Sequence, residues 1–285
     1  MRSKLFVPGA RPEWFAKALA GEADALSFDL EDAVAEDRKA EARAAVADFI
    51  ASAAVQQAAK LIIVRINAAD SPHFAPDLAA VVRPGVTLLN LPKVESPQAL
   101  LAAVAAIEAA ERANGVTHPI GLLVNIETPR ALAEAAQIAA AHPRVAGLQL
   151  GLGDLFEPHG IDRTDPRNVH AAMFALRMAA ARAGVFAMDG AFAALDDDKG
   201  YSEEAHMARR LGFIGKTCVH PRQVALANAA FAASEAELAQ ARRIVEAAQA
   251  AQAQSRGAFV VDGRMIDLPF LKRAQALLAT ARRAD

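Results

Sequence analysis

The sequence predicts a (β/α)8 barrel followed by a C-terminal extension. Three features predict it: eight short apolar runs recur along the chain, alanine-rich amphipathic segments separate them, and polar groups stand where the runs end. At 285 residues the chain has the length of one such barrel. With 54% hydrophobic and 22% charged residues it has material for a large core, so disorder is not expected.

The runs are "KLFV" (4–7), "DALSFDL" (24–30), "LIIVRI" (61–66), "VTLLNL" (86–91), "IGLLVNI" (120–126), "AGLQLG" (146–151), "VFAMD" (185–189) and "FIGKTCV" (213–219). Most are apolar without alternation, as parallel strands covered on both faces should be. Between them, segments such as "PEWFAKALA" and "SPQALLAAVAAIEAAERA" carry apolar residues three and four apart, the spacing of a helix face. Ser96 before Pro97 and Thr128 before Pro129 read as an N-cap followed by proline in the first helical position. A doubly wound open sheet has the same period, so the period alone does not decide closure. Residues 1–254, ending in a helix over 234–254, are assigned to the barrel. Residues 255–285 form the extension, which folds back or covers a neighbouring subunit.

Composition removes several function classes. A formal net charge of −2 and a pI near 6.4 offer no basic surface to nucleic acid or an anionic membrane. A single cysteine, Cys218, excludes an internal disulfide framework and a cysteine-rich zinc site. There is neither an apolar run of about 18 residues nor a signal-like N-terminus, so a cytoplasmic protein is expected.

In such barrels the chemistry gathers at the C-terminal ends of the strands. Those ends carry Pro8-Gly9, Asp29 to Asp32, Arg65 with Asn67, Pro92-Lys93, Glu127, Asp154, Asp189 and His220. Glu127 and Asp154 follow successive strands. Two carboxylates without cysteine or paired histidine suit a hard cation such as Mg²⁺, which keeps waters and substrate oxygens in its shell. Taken alone, Glu127 reads equally well as a charge at the N-terminus of the helix beginning at Pro129. Arg65 interrupts a buried strand and needs a partner: either Asp29 or Glu31, or the carboxylate of an acidic substrate. Lys93 lacks the apolar surroundings of a Schiff-base lysine and reads as a charged, orienting group. His220, before Pro221, reads as a turn residue, and Cys218 as packing.

The stretches "LFVPGARPEWFAKAL", "FDLEDAVAEDRKAEAR", "VRIN", "LPKVES", "IETPRAL", "GLGDL", "GFIGKTCVHPRQV" and "GAFVVDGRMIDLP" follow one another in an order that resembles the citrate lyase β-subunit-like family, over about residues 3–280. That family includes malyl-CoA, citramalyl-CoA and citryl-CoA lyases. The resemblance implies a Mg²⁺-dependent barrel, usually a homotrimer, with a hexamer also open. It would cleave a β-hydroxyacyl-CoA thioester into an acyl-CoA and a 2-oxo acid. It implies Glu127 and Asp154 as metal ligands and Arg65 as the grip on the oxo-acid carboxylate; Lys93, from its own place at a strand end, is expected to orient the substrate, with Glu127 and Arg65 also touching it. Asp267, in "RMIDLP", would be the acid–base group offered to a neighbouring subunit, and Arg11 and Lys17 would touch CoA. Two alternatives stand beside this reading: an aldolase of free 2-oxo-4-hydroxy acids, and a citrate lyase β subunit acting with an acyl-carrier protein. One departure is clear: Gly153 in "GLGDL" stands where the family usually has glutamate.

Overall fold

The computed structural model describes residues 1–253 and 258–281. The eight expected runs are all strands: β1 (Ser3–Pro8), β2 (Ala25–Asp29), β3 (Leu61–Arg65), β4 (Leu88–Leu91), β5 (Gly121–Ile126), β6 (Val145–Leu150), β7 (Phe186–Met188) and β8 (Lys216–Cys218). Each pairs in parallel with its neighbour from β1 to β7, and β8 pairs with β1. An Asp189–Lys216 bridge joins the remaining edge, so the strands form a nearly closed (β/α)8 barrel.

Helices follow the strands because their starts are written locally. Ser96 and Thr128 are extended, and their hydroxyls accept from the N–H groups of Ala99 and Ala131, both at 3.1 Å. Helices Pro97–Asn114 and Pro166–Ala183 end at Gly115 and Gly184 in the left-handed conformation. Outward-facing strand residues such as Leu26, Val64, Leu89, Leu122 and Leu148 pack against the helices in one large core.

The barrel interior is layered. Ala25, Ile63, Leu88, Leu123 and Met188 form an apolar plug. Two residues further along the same strands, on the same face, come Ser27, Arg65, Asn90 and Asn125, and beyond Ser27 comes Asp29. Polarity therefore rises towards the C-terminal rim.

The chain divides into two compact units, Met1–Phe231 and Ala232–Asp285. The second contains helix Glu235–Ala253, a hairpin of β9 (Phe259–Val261) and β10 (Arg264–Ile266), and helix Leu268–Ala281. It has its own small core, in which Ala241 and Ile244 pack with Ile266 and Ala274. Those contacts group helix Glu235–Ala253 with the C-terminal segment, whereas the sequence reading placed it with the barrel. The boundary expected at 254/255 lies outside the described residues. Among the described residues, no helix is long and apolar enough to cross a membrane.

Candidate active site

Arg65 ends β3 and is held across the rim by the residues that end β2. Its Nε and Nη2 donate to the two Asp29 carboxylate oxygens at 2.7 and 2.6 Å, a fork-to-fork pair. Nη1 lies 2.9 Å from Glu31 and 3.3 Å from Asp32. Burial works against the guanidinium charge, but these carboxylates outweigh it and its pKa is raised. Asp29 also accepts from the N–H groups of Glu31 and Ala33, which folds the "DLED" loop over the strand end.

Lys93 follows β4 with a left-handed φ of 54°, a strained conformation for a residue with a side chain. Its Nζ lies 3.0 Å from Glu31, whose carboxylate raises the amine pKa and keeps it charged. Both Glu31 oxygens make these ion contacts without hydrogen-bond alignment, and burial raises that carboxyl's pKa. Beside Glu31 and Lys93 opens a polar groove of about 460 Å³, which Lys39, Asn67 and His73 also line.

The Lys93 backbone N–H donates to Glu127 Oε1 at 2.7 Å, and Asn125 Nδ2 donates to Glu127 Oε2 at 3.1 Å. Glu127 is only 2% exposed. Burial, then the charges of Glu31 and Asp154, push its pKa up to about 7, against the pull of the Lys93 N–H. Asp154 stands in the short helix Leu152–Phe156 after β6 and is exposed. Gly151 makes the room: a Cβ there would stand 2.5 Å from Glu127 Cβ. At Gly153, by contrast, an added Cβ meets nothing within 4 Å, so neither crowding nor a left-handed φ requires glycine there.

These residues fit a hard divalent cation. A buried carboxylate is held in place by two N–H donors, pressed by neighbouring negative charge, and acted on by a second, solvent-facing carboxylate. A cation relieves that repulsion. Among the described residues no group of three or more Asp, Glu, His or Cys is placed to hold a metal ion; a cation at Glu127 and Asp154 would complete its shell with water or other oxygen donors.

The structure brings Arg65, Lys93, Glu127 and Asp154 into one interacting set. Arg11 and Lys17 lie apart from it in the first loop and helix, both exposed. Arg11 pairs with Glu13 at 2.5 Å and covers the Trp14 ring at 3.9 Å. Asp267 belongs to the second unit, where its carbonyl accepts from Leu271 N–H at the start of the last helix and its Oδ1 has no hydrogen-bond partner.

Asp189 needs correction as a rim group. It is fully buried and bonded to Lys216 Nζ at 2.7 Å, pointing into the wall rather than the mouth. His220 does form a turn, its Nδ1 accepting from Arg222 N–H, and burial pushes the Cys218 thiol up to about 11. Sequence reasoning missed Lys39, whose Nζ donates to the carbonyls of Leu30 and Glu31 and to Asn67 Oδ1, pinning the "DLED" loop. Its helical context gave no sign of this.

A family model of the HpcH/HpaI aldolase/citrate lyase type matches residues 2–221. The chain belongs to that family. It is 35% identical to an L-malyl-CoA/β-methylmalyl-CoA lyase of Cereibacter sphaeroides (strain ATCC 17025), covering 98% of this chain and 94% of that one. It is 36% identical to the citrate lyase subunit beta of Escherichia coli K12, covering 98% and 93%. The solved structure of CitE from Mycobacterium tuberculosis with magnesium, acetoacetate and coenzyme A superposes with a TM-score of 0.74 at 33% identity, covering 99% of both chains. Membership makes this chain an enzyme of the lyase and aldolase class.

Proposed function

We propose that the chain is a Mg²⁺-dependent carbon–carbon lyase that splits a β-hydroxyacyl-CoA thioester, such as malyl-CoA or citramalyl-CoA, into an acyl-CoA and a 2-oxo acid. The observation that carries it is buried Glu127, held by two N–H donors at the strand end and acted on by the charges of solvent-facing Asp154 and of Arg65. The named activity of the malyl-CoA lyase relatives and the magnesium, acetoacetate and coenzyme A in the related CitE structure support it.

Glu127 and Asp154 would hold the cation. Bound there, Mg²⁺ supplies Lewis-acid charge that favours ionisation of the substrate hydroxyl. Arg65, kept charged and fixed by Asp29, orients the neighbouring carboxylate. Cleavage breaks the C2–C3 bond as the C3 hydroxyl gives up its proton to solvent water at the open mouth and becomes the oxo-acid carbonyl, and the electron pair of the broken bond moves into a thioester enolate. Asp267 gives C2 its proton and takes it back in the condensing direction. In this reading Asp267 comes from another copy in a homotrimer, while Arg11 and Lys17 meet the CoA phosphates. Asp267→Asn should leave Mg²⁺ and oxo-acid binding nearly unchanged while stopping deuterium exchange at the methyl group of acetyl-CoA. Surviving exchange would make the tail structural only.

The deciding experiment is an acyl-CoA release assay on citramalyl-, malyl- and β-methylmalyl-CoA, with Mg²⁺ and with EDTA. Mg²⁺-dependent release from one member establishes the reaction and the substrate together. Silence across the panel, with oxo acid still bound, favours an aldolase of free acids. Activity appearing only with an acyl-carrier protein favours the citrate lyase subunit reading, which the Escherichia coli relative keeps open.

A further inference from the structure

A pair of asparagines lies beneath Glu127, inside the barrel, where large branched apolar side chains usually dominate. Asn90 on β4 is fully buried and Asn125 on β5 is 1% exposed. Asn90 Nδ2 donates to the Leu123 carbonyl at 2.9 Å and to Asn125 Oδ1 at 2.7 Å. Asn125 Nδ2 in turn donates to Glu127 Oε2 at 3.1 Å. The ladder has one direction, set from both ends. A backbone carbonyl can only accept, so the Asn90 nitrogen must face Leu123. The Asn90 nitrogen then faces the Asn125 oxygen, and an ionised carboxylate can only accept, so the Asn125 nitrogen must face Glu127. Flipping either amide would set oxygen against oxygen. Another polar pair, Lys4 and Gln149, bond to each other.

We infer that Asn125, supported by Asn90, is a positioning residue for Glu127. With Lys93 N–H on Oε1 and Asn125 on Oε2, the carboxylate plane is fixed before any ligand arrives, and its remaining lone pairs are presented at the rim. Two amides buried among apolar strands require desolvation that leucine would not. Holding one carboxylate in a single orientation is what they provide in return. This role rests on the metal reading of Glu127 proposed above.

Calorimetric titration of Mg²⁺ into the wild type, Asn90→Leu, Asn125→Leu and the double variant tests it, with thermal melting to verify folding. Asn125→Leu should weaken Mg²⁺ binding about tenfold or more, in the range seen when supporting hydrogen bonds of a metal ligand are lost. Asn90→Leu should weaken it less, and the double variant should be no weaker than Asn125→Leu, because Asn90 acts only through Asn125. Asn125→Ala takes the place of a leucine variant that does not fold. Unchanged Mg²⁺ affinity in a folded Asn125 variant, or losses that add in the double variant, would overturn the ladder's role. A wild type that binds no Mg²⁺ would overturn the metal reading and this inference together.

Discussion

Two charged clusters in the barrel are built from the same residue types, and they behave oppositely. At the β7–β8 seam, Lys216 Nζ donates to Asp189, Glu204 and the Gly190 carbonyl, while Arg163 forks onto Glu204. Two cations meet two carboxylates, and the donors of Lys216 are fully used. At the mouth, five carboxylates (Asp29, Glu31, Asp32, Glu127 and Asp154) face two cations, Arg65 and Lys93. There Glu31 makes unaligned contacts and the Glu127 pKa stands near 7. Buried carboxylates are common to both clusters. What marks a site is charge left over after every internal partner is counted.

The sharpest test of the contrast removes one carboxylate from the mouth. Glu127→Ala or Asp154→Ala should lower Mg²⁺-dependent turnover about a thousandfold or more without loss of folding; full activity in either at saturating substrate would break the assignment. At the seam the outcome should invert. Lys216→Met strands the buried Asp189 and leaves Glu204 to Arg163 alone, and should cost about 3–5 kcal/mol in denaturant unfolding, with Mg²⁺ affinity of the folded fraction kept.

The third test uses pH. The raised Glu127 pKa means its folded environment favours the protonated form, which stabilises the metal-free protein below about pH 4.5 and is lost as pH rises through about 7. The metal-free protein should therefore lose up to about 3 kcal/mol over that interval, and Glu127→Gln should flatten the profile. The smallest effect belongs to Gly153→Glu. Open space at that position predicts a change in stability within about 1 kcal/mol, together with Mg²⁺ binding tightened several-fold, read by calorimetry.

Much of the frame was legible because parallel strands covered on both faces read as unbroken apolar runs, and because Ser96-Pro97 and Thr128-Pro129 announce their helices. The hairpin of the second unit is legible in the sequence too. "VVDGRMI" holds an Asp-Gly pair between apolar residues, and Asp262 and Gly263 adopt φ of 51° and 75°. The partners of Arg65 were not legible, since sequence offers Asp29, Glu31 and a substrate carboxylate alike and only register decides: Asp29 lies directly opposite Arg65. Lys216 and Asp189 were hidden for a similar reason. A polar residue in a three-residue strand gives no hint whether it faces the interior or the helices.

Lys93 carries two duties on one residue. Its amide reaches Glu127 only because the backbone turns left-handed, and its ammonium reaches Glu31, which in turn meets Arg65. The residue thus links the Glu127 carboxylate, through its amide, to the Arg65 guanidinium, through Glu31. A ligand on one that changes the affinity of the other would, by reciprocity, have its own affinity changed by the same factor.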